Sequence, residues 1–414
     1  MTGKKTMKNF DVVIIGAGLA GLQCAKLLSR QGAKILLVDR KTDLTKGVHT
    51  TGIFVRKTLE DFDFPAGTLG SAVRNVTLYS PRLKAVRLES EKDEFRVGKM
   101  GVLYESLLRE CVANGVEFSN GTRYVSAQIG AELQITDYKL QHESEICNLK
   151  SEIVEKQTVV KLEKNGEAFE ICAKVLIGAD GANSRVAKDL RLDENKEWIV
   201  GYEEVFHAAS SDGEPRLHCF LDGELAPGYL AWMADDGEEI HIGVGGYAAD
   251  FNPREALKLF KEKTKKLFDL GGAKLAETRG GRIPVGGVLR RIASENGLLI
   301  GDAAGAVSPL TAGGLDPAMR LSKFAAEIVW QRLQTGDSKV LLEYSGELFR
   351  ARFVSRLWMR RIIKTFTNQR LLELGFAFLR GRIGQKFARH VFFGRGSFPD
   401  VEVKKLPLRQ LSKI

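Results

Sequence analysis

Three glycines and an aspartate are placed to hold phosphate and ribose. Gly16, Gly18 and Gly21 follow the apolar run Val12–Ile15 in G-x-G-x-x-G spacing, and Asp39 closes a second apolar run that begins at Lys34. In such a turn the first glycine allows the bend, the second lets a pyrophosphate approach the backbone, and the third lets a helix lie close on its strand. Ala17 and Ala20 keep the loop free of bulk. The amides that open the helix expected over Leu19–Ser29 face the phosphates. Asp39, with Arg40 beside it, is placed to accept from a ribose 2′-hydroxyl. Strand, loop, helix, strand and acid in that order point to an adenine dinucleotide, with a free 2′-hydroxyl favoured over a 2′-phosphate.

The same grammar returns twice. Residues 171–185, ICAKVLIGADGANSR, run from an apolar strand into Ala179, Asp180 and Gly181. Residues 297–305 run from Gly297–Ile300 into Gly301, Asp302, Ala303, Ala304 and Gly305. A carboxylate at the carboxyl end of a buried parallel strand sits where open sheets bind ligands, and it can accept from a polyol. The alternative is that Asp302 only caps the turn that follows. Pro309 stiffens the next loop, and Gly313 and Gly314 let the amides of the helix after them approach a flat, partly anionic group.

With these motifs the chain resembles the superfamily of FAD-dependent hydroxylases and geranylgeranyl reductases, over roughly residues 10–335. The resemblance implies FAD, with Asp302 on the ribityl chain and the loop from Pro309 to Leu315 beside the isoalloxazine. The helix from Leu315 would then stabilise negative charge at the flavin N1 and O2 edge. Ser308–Thr311, without the His and the Gly-Gln-Gly of the aromatic hydroxylases, is similar to the geranylgeranyl reductase branch, from which Asp316 and Pro317 depart. That branch carries P-x-x-Y-x-W-x-F-P. Here Pro227 and Trp232 match in spacing, Leu230 occupies the Tyr place, Tyr229 comes one residue early, and Met233-Ala234 replaces Phe-Pro. A one-residue shift in a strand sends a side chain to the other face, so Leu230 and Trp232 are expected to share a face that excludes Tyr229. All three are candidate substrate contacts, with a plain sheet role as the alternative.

After the second strand this superfamily passes a loop over the flavin. Thr51 and Gly52, preceded by Thr50, are placed to approach the ring, and Arg56 to meet a phosphate or a substrate acid. His49 is the nearest titratable group for proton delivery, against the alternative of an ordinary surface histidine; with Trp232 it completes the catalytic candidates. Met100 stands where the family often has an FAD-contacting Arg, so no contact is carried over there.

These sites need an α/β scaffold. The expected architecture is a Rossmann-like FAD-binding domain, discontinuous over 1–75, 98–190 and 280–335, an inserted antiparallel β-sheet substrate domain from 76–97 and 191–279, and a basic helical region, 336–414. The chain has 414 residues, 44% hydrophobic and 28% charged, with 43 glycines against 10 prolines, the profile of an α/β enzyme rather than a disordered or fibrous chain. No apolar run precedes the first strand and none reaches the length of about 18 residues that a membrane span needs, so neither a signal peptide nor a span is expected. Five scattered cysteines, Cys24, Cys111, Cys147, Cys172 and Cys219, without a CxxC pair, argue for reduced thiols and a cytoplasmic setting. Six histidines without ligand spacing argue against a metal.

The net charge of +10 is uneven: residues 350–395, with twelve Lys or Arg against the single acid Glu373, carry +11, so the rest of the chain is about neutral. Phe353, Leu357, Trp358, Ile362, Ile363 and Phe366 recur at helical spacing among them. A helical cover on the core and a basic amphipathic surface for the inner face of an anionic membrane both fit. Nucleic acid shares the electrostatics, but no recognition motif accompanies it and it is not expected. The functional expectation is an FAD-dependent reductase of geranylgeranyl reductase type that reduces a carbon–carbon double bond of a hydrophobic, isoprenoid-like molecule, with NAD(P)H or ferredoxin as electron donor. A monooxygenase of the same fold and a non-enzymatic, membrane-associated flavoprotein are the alternatives.

Overall fold

The computed structural model describes residues 7–132, 156–208, 214–247, 251–268, 270–350, 353–365 and 367–394. Cys147 and Phe366, named above, and Arg352 and Arg395 of the basic run lie outside them. The first third of the chain builds β1 (Lys8–Ile15), α1 (Leu19–Ser29), β2 (Ile35–Val38), β3 (Ile53–Val55), α2 (Arg56–Asp61), β4 (Leu69–Val73), β5 (Asn75–Tyr79), β6 (Ala85–Leu88), β7 (Phe95–Gly98) and α3 (Met100–Ala113). The middle builds β8 (Glu117–Ser119), β9 (Thr122–Glu132), β10 (Lys156–Lys164), β11 (Glu167–Gly178), α4 (Arg185–Asp189), β12 (Trp198–His207), β13 (Arg216–Phe220), β14 (Ala231–Asp235), β15 (Glu239–Tyr247), α5 (Pro253–Thr264) and β16 (Lys274–Pro284). Then come β17 (Ala293–Ser294), β18 (Gly297–Leu299), α6 (Leu315–Thr335), α7 (Gly346–Arg350), α8 (Val354–Thr365), α9 (Gln369–Arg380) and α10 (Arg382–Phe393), with 3-10 turns at Gly301–Ala304 and Ser338–Glu343.

The first sheet runs β17-β18-β11-β1-β2-β8, with β10 and β9 continuing antiparallel from β11. Val12–Ile15, Ile35–Val38 and Val175–Ile177 are buried on both faces, which is why these strands read as unbroken apolar runs. Ile15 is in register with both Val38 and Gly178, and Gly178 with Leu299. The four parallel strands therefore end level, and the three glycine-and-aspartate turns leave the sheet along one edge. Helix α1 is buried along nearly all its length between α3 and α6, and Ser322 of α6 donates to the Ala20 carbonyl at 2.9 Å.

The second sheet runs β16-β12-β15-β14-β13-β5-β6, and a small third sheet, β3-β7-β4, joins it to the first. One pair departs from the antiparallel expectation: β5 lies parallel to β13. These strands come from distant parts of the chain, so no hairpin imposes their direction. Strand β16 runs unbroken across residue 280, where the sequence places a domain boundary, because its whole length pairs with β12. One face of this sheet packs Tyr79, Phe206, Phe220, Ile242 and Val244 on Leu257 and Phe260 of α5. The other face looks toward the level edge of the first sheet.

Helices α9 and α10 cover the β5 end. Phe376 and Ala388 are buried with Val76, Leu78, Val86 and Leu217, so part of the basic region is a cover on the core. Phe376, 1% exposed, is the largest anchor of α9, and Phe376→Ala should open that contact at a cost of about 3 kcal/mol. In hydrogen exchange, α9 amides are expected to lose protection on the order of a hundredfold while β1 and β11 keep theirs.

Candidate active site

Between the level edge of the first sheet and the free face of the second lies one continuous cavity of about 1320 Å³. Its floor is the three turns. Gly16, at φ +107°, leaves no room for a Cβ, which would stand 2.2 Å from the Ala179 oxygen; at Gly21 a Cβ would stand 1.9 Å from the Gly16 oxygen. Gly18 is different: a Cβ there would meet no protein atom within 4 Å, and the space it would enter is the cavity. No side chain caps α1, so its opening turn is left for a ligand. Asp39 accepts from Ala17 N at 2.7 Å and from Lys41 N at 2.8 Å, one bond per oxygen, which leaves each oxygen a further lone pair. An uncapped helix start, a glycine whose missing side chain opens into the cavity, and an acceptor carboxylate at the end of β2 fit an adenine dinucleotide. Arg40 and His49 are exposed and stand at the cavity rim.

Asp180 lines the floor, but its carboxylate serves structure: Ser184 Oγ donates to Oδ1 at 2.6 Å, and Arg185 N donates to Oδ2 at 2.7 Å. Asp302 lines the cavity at the end of β18, where desolvation pushes its carboxyl up to about 6. Asn195 ties the two turns together, donating to the Ala182 carbonyl at 3.1 Å and the Asp302 carbonyl at 2.8 Å. The following loop closes on itself through Ser308 N to Gly313 O and Ala312 N to Ser308 O, which holds Ala312 at φ +51°. A non-glycine residue in this region is strained by roughly 1 kcal/mol, a cost found mostly at functional sites. Gly313, Gly314 and Leu315 line the cavity, whereas Pro309 is buried behind the loop against Gly287. Asp316 spends its charge sideways, accepting from Thr58 Oγ1 at 2.7 Å and Arg320 Nε at 2.9 Å. The departure from the reductase branch thus ties α6 to α2.

The roof changes character along its length. At the β16 end, Glu203, Thr51 and Arg279 meet in a buried polar cluster, with Gly52 beside it. At the β5 end the lining is Leu78, Leu217, Cys219 and Leu221, closed by Ile363, Leu379 and Phe392 of the C-terminal helices. Leu230, just before β14, and Trp232, within it, lie between. Tyr229 lines the cavity too, contrary to the alternation. It precedes β14, so pleat parity does not govern it, and its hydroxyl donates to the Thr311 carbonyl at 2.7 Å. Arg360 lies over the Tyr229 ring at 5.5 Å, and Arg356 donates to Ser308 Oγ at 3.1 Å; α8 thereby grips the strained loop. Arg56 lines the cavity but is paired with buried Glu94 at 3.1 Å. Partial desolvation at the rim foremost, then the charges of Lys41 and Arg40, holds His49 below its ordinary range.

Sequence reasoning missed Glu203, Arg279, Asn195 and Arg356. Glu203 could have been found from strand parity, since it shares the inward face of WIVGYEEVFH with Val205; Arg279, Asn195 and Arg356 reach the site through tertiary packing alone.

A family model described as FAD binding domain matches residues 9–360. A digeranylgeranylglycerophospholipid reductase of Methanosarcina acetivorans is 27% identical over 83% of this chain and 80% of its own. Among solved structures, a geranylgeranyl bacteriochlorophyll reductase-like protein from Thermoplasma acidophilum superposes with a TM-score of 0.74 at 17% identity, covering 94% of this chain and 98% of that one. A p-nitrophenol 4-monooxygenase from Pseudomonas putida reaches 0.60 at 16% identity, covering 94% and 95%. The last two share the fold.

The two glycines separate folding from binding. Gly21→Ala should destabilise the apoprotein by roughly 2–4 kcal/mol because backbone atoms must move apart. Gly18→Ala should leave its urea midpoint unchanged and weaken dinucleotide binding at least tenfold. Asp302 gives a pH signature. Its folded value lies above its unfolded one, so the folded apoprotein binds this proton more tightly, and the contribution favours folding at low pH and is lost as pH rises through about 6. Asp302→Asn should therefore stabilise the apoprotein at pH 8, with the gain shrinking as pH falls below about 6 and vanishing only below 3.8, the unperturbed value, in paired urea titrations.

Proposed function

The chain belongs to the FAD binding domain family, and on that premise we propose that it is an FAD-dependent reductase acting on carbon–carbon double bonds of a long hydrophobic, isoprenoid-type molecule. The observation that carries this reading is the two-part cavity. Ligand pockets for one drug-sized molecule span about 300–1,000 Å³; this one is larger and joins a phosphate-holding floor to an apolar chamber. The chamber takes a chain-like molecule, and its polar end lies beside the segment Thr50–Gly52. The named activity of the Methanosarcina relative agrees with such an occupant.

In this reading Gly16, Gly18 and the start of α1 hold the pyrophosphate, Asp39 the adenosine ribose, and Asp302 the ribityl hydroxyls. Gly313, Gly314 and Leu315 present helix amides to the flavin edge. Bound FAD supplies hydride transfer. The residues of this chain orient the double bond against the ring and keep water out, which is where an enzyme without a protein nucleophile gains its rate. Tyr229, Leu230 and Trp232 form the substrate side of that gap. His49, exposed at the rim and held below its ordinary range, is poorly suited to deliver a proton.

We also assign a peripheral membrane contact to α8–α10. No helix among the described residues is long and apolar enough to cross a membrane. Yet Trp358, Leu374 and Ile383 are 61%, 69% and 75% exposed, interleaved with Arg361, Arg380, Arg382 and Lys386. Such a surface matches an anionic interface. Ile362 and Phe387 belong both to this exposed set and to the cavity lining, so the lipid face and the chamber adjoin.

The test is anaerobic turnover. The dithionite-reduced holoprotein, mixed with phospholipids bearing geranylgeranyl chains in anionic vesicles, should yield lipids with two added hydrogens per double bond by mass spectrometry, and its vesicle binding should weaken as salt rises. An inserted oxygen atom on admitting air, with no reduction before it, would assign the chain to hydroxylation instead.

A further inference from the structure

Glu203 is the most deeply buried charged group in the cavity lining that the reading above leaves unused. It sits in mid-β12, 3% exposed, facing the cavity. Four groups from four separate pieces of chain converge on it. Thr51 Oγ1, from the segment between β2 and β3, donates to Oε2. Trp232 Nε1, from β14, donates to the same oxygen at 2.8 Å. On the other side, Arg279 Nη1 of β16 and His241 Nδ1 of β15 each stand 3.5 Å from Oε1. Arg279 reaches the Thr51 segment as well, donating through Nη1 to the Thr50 carbonyl at 2.8 Å. Gly243 shapes the seat, since a Cβ there would lie 2.3 Å from the Trp232 indole. Burial would raise this carboxyl, but the His241 contact, the charges of His241 and Arg279 and the Thr51 bond outweigh it and hold Glu203 below the usual carboxylate range.

We propose that Glu203 is a positioning residue that pins the Thr50–Gly52 segment and the Trp232 indole to the second sheet, so that the cofactor side and the substrate side of the cavity keep one fixed spacing. The proposal rests on the FAD reading and deepens it, by naming what holds the two walls of the site in register. Because one oxygen serves both donors, loop and indole are coupled: freeing either loosens the other. A glutamine cannot replace the carboxylate. With its carbonyl toward Thr51 and Trp232, its amide points donors at Arg279 and His241; turned over, it faces two donors with donors.

The test uses the full chain, stripped of FAD and titrated with FAD by flavin fluorescence quenching, together with the tryptophan emission assigned to Trp232 by subtracting a Trp232→Phe variant. Glu203→Gln and Thr51→Val should each weaken FAD binding about tenfold, the size of one charge-assisted hydrogen bond. The double variant should be no weaker than Glu203→Gln alone, because both changes break one linkage. Thr51→Val should also shift the Trp232 emission, although Thr51 reaches the indole only through Glu203. If Glu203→Gln fails to fold, Thr51→Val and Trp232→Phe carry the same test, and their effects on FAD affinity should be less than additive. Additive losses, or an unmoved Trp232 emission in Thr51→Val, overturn the proposal. A wild-type chain that takes up no FAD overturns the cofactor reading instead, while the emission coupling still decides the role of Glu203.

Discussion

The level ends of β1, β2, β11 and β18 are the constraint on which the rest of the structure depends. Parallel pairing fixes Ile15 opposite Val38 and Gly178, and Gly178 opposite Leu299, so turns separated by more than a hundred residues leave the sheet side by side. A slip of one residue would reverse every side chain on the slipped strand and bury a charged turn in the core. Buried apolar strands therefore do more than stabilise the fold: they hold Gly16, Asp39, Asp180 and Asp302 on a single edge. Asn195 then ties two of those turns to each other from outside the sheet.

The second sheet uses its two faces for different ends. The α5 face is aromatic and closed, with the Tyr79 and Phe220 rings stacked at 4.4 Å and Phe260 edge-on to Phe220 at 4.8 Å, a packing that makes the sheet a stiff wall. The opposite face is graded, from Leu78 and Leu217 at one end to Glu203 and Arg279 at the other. That gradient follows from which strand lies where: β5 and β13 bring apolar residues inward and β12 and β16 bring charge. A molecule with a polar end and an apolar tail has one favourable direction in such a chamber.

The parts of this architecture legible in the sequence were those that rest on local pattern. The first strand, α1 and the acid at Asp39 follow from an apolar run, a glycine spacing and a carboxylate, each visible within thirty or so residues. The resemblance to a flavoprotein superfamily rests on the same short motifs, and the family match covers them. What stayed hidden depends on chain segments meeting in space. The parallel pairing of β5 with β13 has no hairpin to announce it. The position of Tyr229 turns on β14 starting two residues later, which moves that side chain out of the strand's alternation. Arg56 reads as a cation free to meet an anion until Glu94, 38 residues away, is seen beside it. The basic helices divide the same way: their periodicity shows that one face is apolar, but only packing shows Phe376 turned inward and Leu374 outward.

Ile362 and Phe387 line the chamber and keep about half of their surface accessible. An elongated guest has no need to thread itself end-on past the loops, nor to wait for whole elements to part. Rotamer changes of exposed side chains take picoseconds to nanoseconds, far faster than hinge motion between domains, so sideways passage would set no slow step of its own. Traffic through such a wall is governed by how well the guest leaves its surroundings.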